Sequence, residues 1–212
     1  MTPLSILIAD DHAVVRAGLR ALLESRTRWQ VCAEAADGRD AVEKATKHKP
    51  QIAILDIGMP LLNGVEATRQ IRKSSPATEI LILTMHESDD LVQQVVEAGA
   101  RGYILKDEAD RVLLDAVQAL SQHKHFFSTR VSEAAVTIDP DSAKSSRSRL
   151  TPREREILQL LAEGKSNKEV ANLLNISVNT AEAHRANIML KLDFHSLAEL
   201  VMYAIRNNII QT

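Results

Sequence analysis

The chain has 212 residues, 45% hydrophobic and 25% charged, which is enough for one large or two small globular domains. Its net charge is −2, and Leu150 to Thr212 carries seven Lys or Arg and seven Asp or Glu, so charge alone predicts no nucleic-acid binding. Cys32 is the only cysteine, which excludes an intramolecular disulfide. The sequence has neither a signal-peptide pattern nor an apolar run of about 20 residues, so we expect a cytoplasmic protein without membrane contact.

The first part of the chain alternates short apolar runs with amphipathic stretches, a pattern typical of a parallel α/β sheet. Ala13 to Glu24 has apolar residues at helical spacing, and a similar stretch, about Ala109 to Ser121, follows the fifth run. The pattern predicts five βα units. The predicted strands are Leu4 to Ala9, Gln30 to Ala35, Ile52 to Leu55, Ile80 to Thr84 and Gly102 to Leu105.

The composition changes after about Phe127. Asp139 to Arg149 is polar and rich in Ser, as linkers are. We interpret residues 128–149 as a linker, in which Val131 to Val136 could form a short extension of the first domain.

Helix start signals dominate the remainder. Three Ser or Thr residues are each followed three positions later by Glu, which is the spacing of a capping box. Ser177 is a fourth N-cap candidate, and Gly164 stands where a left-handed residue would end the first helix. The link from Asn175 to Ser177 is as short as a helix-turn-helix requires. We therefore predict four helices. The three boxes are Thr151 with Glu154, Ser166 with Glu169, and Ser196 with Glu199.

Reactive side chains fall at the ends of the predicted strands: Asp10 and Asp11, Asp56, Thr84 and Lys106. The carboxyl ends of parallel strands share one edge of the sheet, where ligands bind. Three carboxylates at that edge would repel one another, and Mg²⁺ would relieve the repulsion while keeping positions for phosphoryl oxygens. One carboxylate can then attack a phosphoryl group, with the lysine and the hydroxyl stabilising the transferred charge.

Each of these residues alone has a structural explanation. An Asp pair before a helix can be an N-cap with a first-turn acid, a strand-end Thr is usually a β-former, and a single Lys is usually solvated. Their joint appearance at four strand ends favours the functional interpretation.

Three blocks carry a resemblance to the receiver domains of response regulators: Ile6 to His12 (ILIADDH), Leu55 to Gly64 (LDIGMPLLNG) and Gly102 to Lys106 (GYILK). The resemblance implies that Asp56 accepts the phosphoryl group and that Lys106 pairs with its oxygens. The other implied roles are Mg²⁺ or Mn²⁺ binding by Asp10, Asp11, Asp56 and the Gly58 carbonyl, and switching by Thr84 and Tyr103.

Three later blocks, Leu150 to Ile157, Gly164 to Ala171 and Ile176 to Arg185, resemble the LuxR-type helix-turn-helix. The whole chain is similar to the NarL/FixJ class of response regulators. This resemblance implies a flavodoxin-like (βα)5 doubly wound sheet of strand order 2-1-3-4-5, followed by an all-α four-helix domain. The expected bounds are 1–127 for the receiver, 128–149 for the linker and 150–212 for the DNA-binding domain.

The third helix of that domain, about Val178 to Leu192, has two faces at 100° per residue. Val178, Ala181, Ile188 and Leu192 share the face expected to pack on the other helices. The opposite face is the candidate for the major groove. The candidates there are Asn179, Glu182, Ala183, Ala186, Asn187 and Leu190, and candidates for phosphate contacts are Lys168, Thr180, Arg185 and Lys191. The resemblance implies base-facing positions for Glu182, Ala183 and Ala186 and positions near the DNA backbone for Thr180 and His184, and Asn167 is a further DNA-binding candidate.

The function expected from this resemblance is regulatory rather than enzymatic. A histidine kinase would phosphorylate Asp56 with Mg²⁺, and a homodimer, paired in part through the fourth helix, would bind an operator in double-stranded DNA. One rival is an Mg²⁺-dependent phosphohydrolase, but such families usually have an acid where Gly58 stands. The other is a receiver whose output module binds protein or RNA.

Overall fold

The computed structural model describes residues 3–85, 88–128 and 150–210, so most of the predicted linker, including Val131 to Val136, lies outside the described residues. The N-terminal unit is an α/β sheet and the C-terminal unit is helical. The N-terminal unit contains β1 (Leu4–Ala9), α1 (Ala13–Glu24), β2 (Trp29–Ala35), α2 (Gly38–His48), β3 (Ile52–Asp56), α3 (Gly64–Ser74), β4 (Glu79–Thr84), α4 (Asp89–Ala98), β5 (Gly102–Leu105), α5 (Ala109–Ser121) and β6 (Phe126–Phe127). The C-terminal unit contains α6 (Pro152–Ala162), α7 (Asn167–Leu174), α8 (Val178–Leu192) and α9 (Leu197–Arg206).

The sheet has the order β2-β1-β3-β4-β5-β6, and its strands pair in parallel. The predicted order 2-1-3-4-5 is thereby confirmed. The prediction missed β6, which pairs with β5 through Phe126 opposite Gly102 and Phe127 opposite Tyr103. A two-residue strand has no periodicity of its own, so only its pairing with β5 defines it.

Both faces of the sheet are covered. Successive strand residues point to opposite sides, so Leu55 lies in one core cluster, with residues of α2, α3 and α4, while Ile54 lies in the other, with residues of α1 and α5. Burial on both faces explains why β3 and β4 are almost wholly aliphatic. The carboxyl ends of the strands remain as the open edge of this layered structure.

The four helices of the helical unit begin at the N-caps that the sequence predicted. Thr151 and Ser166 form complete capping boxes, and the Ser177 side chain accepts a hydrogen bond from Thr180 N. Only half of the third box forms: Ser196 accepts from Glu199 N at 3.3 Å and caps α9, whereas the Glu199 carboxylate accepts from His195 N at 2.6 Å and does not close the box.

Two further features of this unit bear on the prediction. Gly164 has a φ of 82° just after α6, as expected for a helix end. Val178, expected to pack inward, is 40% exposed because it lies at the first turn of α8, whereas Ala181 and Ile188 are buried. No helix in the three described ranges is both long and apolar enough to cross a bilayer.

Candidate acidic site and helix-turn-helix face

The structure brings Asp10, Asp56 and Lys106 together at the carboxyl edge of the sheet. Lys106 Nζ lies 2.8 Å from Asp10 Oδ2 and 3.1 Å from Asp56 Oδ1. Both carboxylates are almost completely buried, at 0% and 1% exposure. They meet because β1, β3 and β5 end at the same edge, which is the relationship that the sequence pattern predicted.

Burial and the neighbouring charges shift the pKa of both Asp56 and Lys106. Burial raises the pKa of the Asp56 carboxyl, and the charges of Asp10 and Asp11 add to this effect, so that Lys106 only partly opposes it. Burial alone would lower the pKa of Lys106, but the Asp10 and Asp56 carboxylates reverse that, and its pKa is raised. Asp56 Oδ2 is buried and accepts no hydrogen bond from the described residues.

Asp11 lies on the outer side of the cluster, with its carboxylate about one-third exposed. His12 Nδ1 lies 2.7 Å from Asp11 Oδ1, and the His12 N–H donates to Asp10 Oδ1 at 2.8 Å. The ligand atoms of Asp10, Asp11 and His12 lie within 4.8 Å of one another. His12 was not among the predicted site residues, although its position directly after the Asp pair was a usable signal.

The chain from Ile57 to Asn63 leads away from Asp56 and is tightly folded; we call it the acceptor loop. Gly64 N, just after the loop, donates to Ile57 O at 2.9 Å, which closes it. Gly58 is half-buried two residues after Asp56. Leu61 has a φ of 64°, in the left-handed region that an L-residue rarely adopts. Because this conformation is unfavourable for an L-residue, contacts made by the loop must stabilise it.

Thr84 and Tyr103 lie on the neighbouring strands β4 and β5, and both are completely buried. Thr84 ends β4 opposite Leu105, the residue before Lys106. Tyr103 belongs to the core cluster that contains Leu91 and Val95 of α4. The two predicted switch residues thus lie between the acidic cluster and the α4 side of the sheet.

The helix-turn-helix consists of α7 and α8, joined through the left-handed residue Asn175. The predicted DNA face of α8 is open to solvent. Exposed members are Asn179, Thr180, Glu182, Ala183, Ala186, Asn187 and Leu190, and half-buried members are His184 and Arg185. Of the two candidates at the start of α7, Lys168 is exposed and Asn167 is half-buried.

Lys191 has a carboxylate partner. Its Nζ lies 2.7 Å and 2.8 Å from the two carboxylate oxygens of Glu154 at the start of α6. Burial would raise the pKa of Glu154, but the Lys191 ammonium and the Thr151 hydrogen bonds outweigh it, and the pKa is lowered. A phosphate contact by Lys191 would have to compete with this ion pair.

Comparison with known proteins gives matches for both units. Residues 6–118 match the family model "Response regulator receiver domain", and residues 148–204 match "Bacterial regulatory proteins, luxR family". The chain is 40% identical over 215 residues to the oxygen regulatory protein NreC of Staphylococcus haemolyticus, covering 98% of this chain and 99% of that protein.

Two solved structures extend the comparison. RcsB of Salmonella enterica serovar Typhimurium, bound to a promoter in the presence of the phosphomimetic BeF3⁻, superimposes with a TM-score of 0.63 at 28% identity, covering 95% of this chain and 98% of that one. A two-component response regulator of the LuxR family from an Aurantimonas species is 35% identical with a TM-score of 0.61, covering 64% of this chain and 96% of that one.

Proposed function

The chain belongs to the response regulators that combine a receiver domain with a LuxR-type DNA-binding domain, and it is therefore a two-component transcription factor. We propose that Asp56 is its phosphoryl acceptor. The observation that carries the proposal is the buried Asp56 carboxylate, which has Lys106 at one oxygen and no hydrogen-bond donor among the described residues at the other. The carboxylate can therefore offer one oxygen to a metal ion and the other to a phosphorus atom.

The proposed reaction is an in-line transfer from a phosphohistidine of a sensor kinase. An Asp56 oxygen forms a bond to phosphorus as the P–N bond to the kinase imidazole breaks, and the product is an acyl phosphate. Lys106 stabilises the charge on the transferred oxygens, because its ammonium is already at the acceptor. Burial raises the pKa of Asp56 and so favours the protonated carboxyl, whereas only the deprotonated carboxylate can attack phosphorus. The positive charge of Lys106 opposes this protonation.

The cluster fits a hard divalent cation, as its donors are carboxylate oxygens and one of them is buried without a partner. Asp10, Asp11, Asp56 and the Gly58 carbonyl would hold Mg²⁺ or Mn²⁺, which would neutralise charge on the phosphoryl oxygens. Thr84 and Tyr103 would then report the occupied site to the α4 side of the sheet.

For the output, we propose that a homodimer binds double-stranded DNA with the exposed face of α8. Glu182, Ala183 and Ala186 would face base edges, while Lys168, Thr180 and Arg185 would contact phosphates. Pairing matters because one neutral DNA-binding domain offers few phosphate contacts. The match to the luxR family does not support the alternative of a protein- or RNA-binding output. We also propose that the protein is cytoplasmic, with the receiver at residues 1–127, the linker at 128–149 and the DNA-binding domain at 150–212.

The test is intact mass after incubation with acetyl phosphate and Mg²⁺. We expect one added phosphoryl group on the wild type and on Asp115→Asn, an exposed carboxylate of α5, and none on Asp56→Asn. In a gel-shift assay with genomic DNA fragments, the protein that has gained the phosphoryl group should bind DNA more tightly than the untreated protein. An equal gain on Asp56→Asn, or no gain on the wild type, would refute the assignment.

A further inference from the structure

His12 is the N-cap of α1 and comes directly after Asp10 and Asp11. Side chains at an N-cap usually accept a hydrogen bond from a backbone N–H in the first turn of the helix. The His12 backbone is extended, as at other N-caps, but its side chain makes no such bond. The helix therefore does not use the imidazole, and the ring is available to the acidic cluster instead.

The imidazole of His12 is turned towards the two carboxylates that precede it. Its Nδ1 lies 2.7 Å from Asp11 Oδ1 and 3.4 Å from Asp10 Oδ1. The backbone N–H of His12 donates to the same Asp10 oxygen at 2.8 Å, which holds the residue against the cluster. The ring is 63% exposed, whereas the Asp10 side chain is buried, so the imidazole lies at the mouth of the acidic site.

The two oxygens of the Asp10 carboxylate face different partners. Oδ2 lies 2.8 Å from Lys106 Nζ, which also lies 3.1 Å from Asp56 Oδ1. Oδ1 faces the backbone and ring of His12. The ammonium thus serves one half of the cluster, while in the described part of the chain no lysine or arginine forms an ion pair with Asp11 on the other half. That half is the side on which a metal ion would add positive charge.

The spacing of the donor atoms suits a single ion. The ligand atoms of Asp10, Asp11 and His12 lie within 4.8 Å of one another. With metal–ligand bonds of about 2.1 Å, neighbouring ligands of an octahedral ion are about 3 Å apart and opposite ligands about 4.2 Å. The distances from His12 Nδ1 to the two carboxylate oxygens are close to the first value, so an ion can take the place of the hydrogen bond after small side-chain shifts.

A nitrogen donor changes which ion such a site prefers. Mg²⁺ is bound by oxygen atoms of carboxylates, carbonyls and water. Imidazole nitrogen instead suits first-row transition-metal ions, whose affinity rises along the series from Mn²⁺ to Cu²⁺. Carboxylates bind ions of both classes, so His12 is the member of this cluster that discriminates between them.

We propose that His12 Nδ1 is a ligand at the acidic site and that it makes the site select a divalent transition-metal ion, such as Mn²⁺, over Mg²⁺. The proposal rests on the acidic site holding the divalent ion that phosphorylation of Asp56 requires. On binding, the ring takes the tautomer with its proton on Nε2, so that Nδ1 offers its lone pair to the ion. With Mg²⁺ the oxygen ligands act alone, and the imidazole keeps its hydrogen bond to Asp11.

The first experiment measures metal affinity in the full-length protein. His12→Phe removes the nitrogen and keeps a ring, while His12→Asn offers an oxygen and is a good N-cap. His48→Asn, exposed at the end of α2, is the matched control. The electron paramagnetic resonance signal of free Mn²⁺ gives the Mn²⁺ affinity, and competition gives that of Mg²⁺. We expect the ratio of Mn²⁺ to Mg²⁺ affinity to fall about 10-fold in both His12 variants, with Mg²⁺ affinity within about 3-fold of the wild type and wild-type values for the control.

The second experiment detects the nitrogen ligand itself by electron spin-echo envelope modulation of bound Mn²⁺. The wild type should show nitrogen modulation that changes when histidine alone carries ¹⁵N, and His12→Asn should lose it. A histidine that only orients Asp11 would weaken both ions by the same factor and give no nitrogen coupling, and that result overturns the proposal. If His12→Phe does not fold, His12→Asn and the wild-type spectrum decide.

Failure of this proposal can be told apart from failure of the proposed function. An unchanged affinity ratio in the His12 variants, together with Mg²⁺-dependent phosphoryl mass gain on Asp56, removes only the role of His12. If the wild type binds neither ion, the acidic cluster is not the metal site, and the proposal fails with it. Asp11→Asn checks this assignment, because it should weaken the binding of both ions.

Discussion

The backbone of Gly64 lies against the carbonyl oxygen of Asp56 so closely that a Cβ atom at position 64 would stand 2.2 Å from it. The neighbouring atom belongs to the backbone and cannot rotate away. The first residue of α3 and the last residue of β3 are therefore in contact across the acceptor loop, and this contact sets the size of the loop.

Gly64→Ala is expected to lower the free energy of unfolding by about 1–3 kcal/mol, because the added methyl group forces the loop or the end of β3 to move. Gly18→Ala is the control: a Cβ there meets no atom within 4 Å, and within α1 it should stabilise by about 0.5–1 kcal/mol. Urea unfolding of both variants measures the difference. Equal effects at the two positions would contradict the close approach.

Asp56→Asn should raise the free energy of unfolding at neutral pH by about 1–3 kcal/mol, since it removes a charge that is buried without full compensation. Burial raises the pKa of Asp56, so the folded chain binds this proton more tightly than the unfolded chain. Such a group contributes stability below its unfolded pKa, and that contribution is lost as the pH rises through the folded pKa. The advantage of Asn should thus be largest at high pH and disappear below about pH 4.

Urea titrations between pH 4 and pH 8 measure this effect. Asp115→Asn serves as the exposed control and should show no comparable pH dependence. An advantage of Asn that grows as the pH falls would contradict the raised pKa.

Lys106→Met should destabilise the chain by about 3–5 kcal/mol at neutral pH, because Asp10 and Asp56 lose the cation between them. Added Mg²⁺ should restore part of the loss, since it binds the folded chain preferentially. Thermal unfolding with and without MgCl2 tests both points, with the exposed Lys124→Met as control. If Mg²⁺ leaves the melting temperature of the wild type and of Lys106→Met unchanged, these carboxylates do not form the metal site.

Glu154→Gln should cost the helical domain about 1–2 kcal/mol, as it weakens both the Thr151 cap and the pair with Lys191. The pKa of Glu154 is lowered, so its contribution is present above the unfolded pKa of about 4.3 and is lost as the pH falls through the folded pKa. The wild type and the variant should therefore converge in acid. The control is Asp110→Asn, whose pair with Arg111 is exposed, 3.7 Å long and expected to contribute nothing measurable.

Lys168→Ala should weaken DNA binding about equally for all sequences and should reduce the slope of log affinity against log salt by about one per protomer. The reason is its exposed position at the first turn of α7, where an ammonium can neutralise one phosphate. Fluorescence anisotropy at several salt concentrations measures the slope, and Lys124→Ala is the control. A changed base preference with an unchanged slope would place Lys168 at a base edge instead.

The meeting of Asp10, Asp56 and Lys106 could be predicted because parallel topology fixes where strands end, whatever the details of packing. Helix starts could be predicted where the signal is local, as at Thr151 and Ser166. The signal was insufficient at Glu199, since the same side chain could reach either of two neighbouring backbone N–H groups, and it bonds to that of His195.

Local sequence patterns could not predict contacts between distant segments of the chain. β6 exists only through pairing with β5, and the partners of Gln159 depend on how the two domains meet. A hint was present in that Gln159 is the only polar residue within the run Ile157 to Leu161. Periodicity can flag such a residue as unusual but cannot name the acceptor loop as its partner.

Because the two domains meet mainly through charged and amide groups, each face is already suited to water when the domains part. Leu61 is an apolar exception, since its side chain packs against the core of the DNA-binding domain. The hydrogen bonds lost when the domains part, such as that from Gln70 to Glu156, can be replaced by bonds to water, so separation would leave few polar groups unsatisfied.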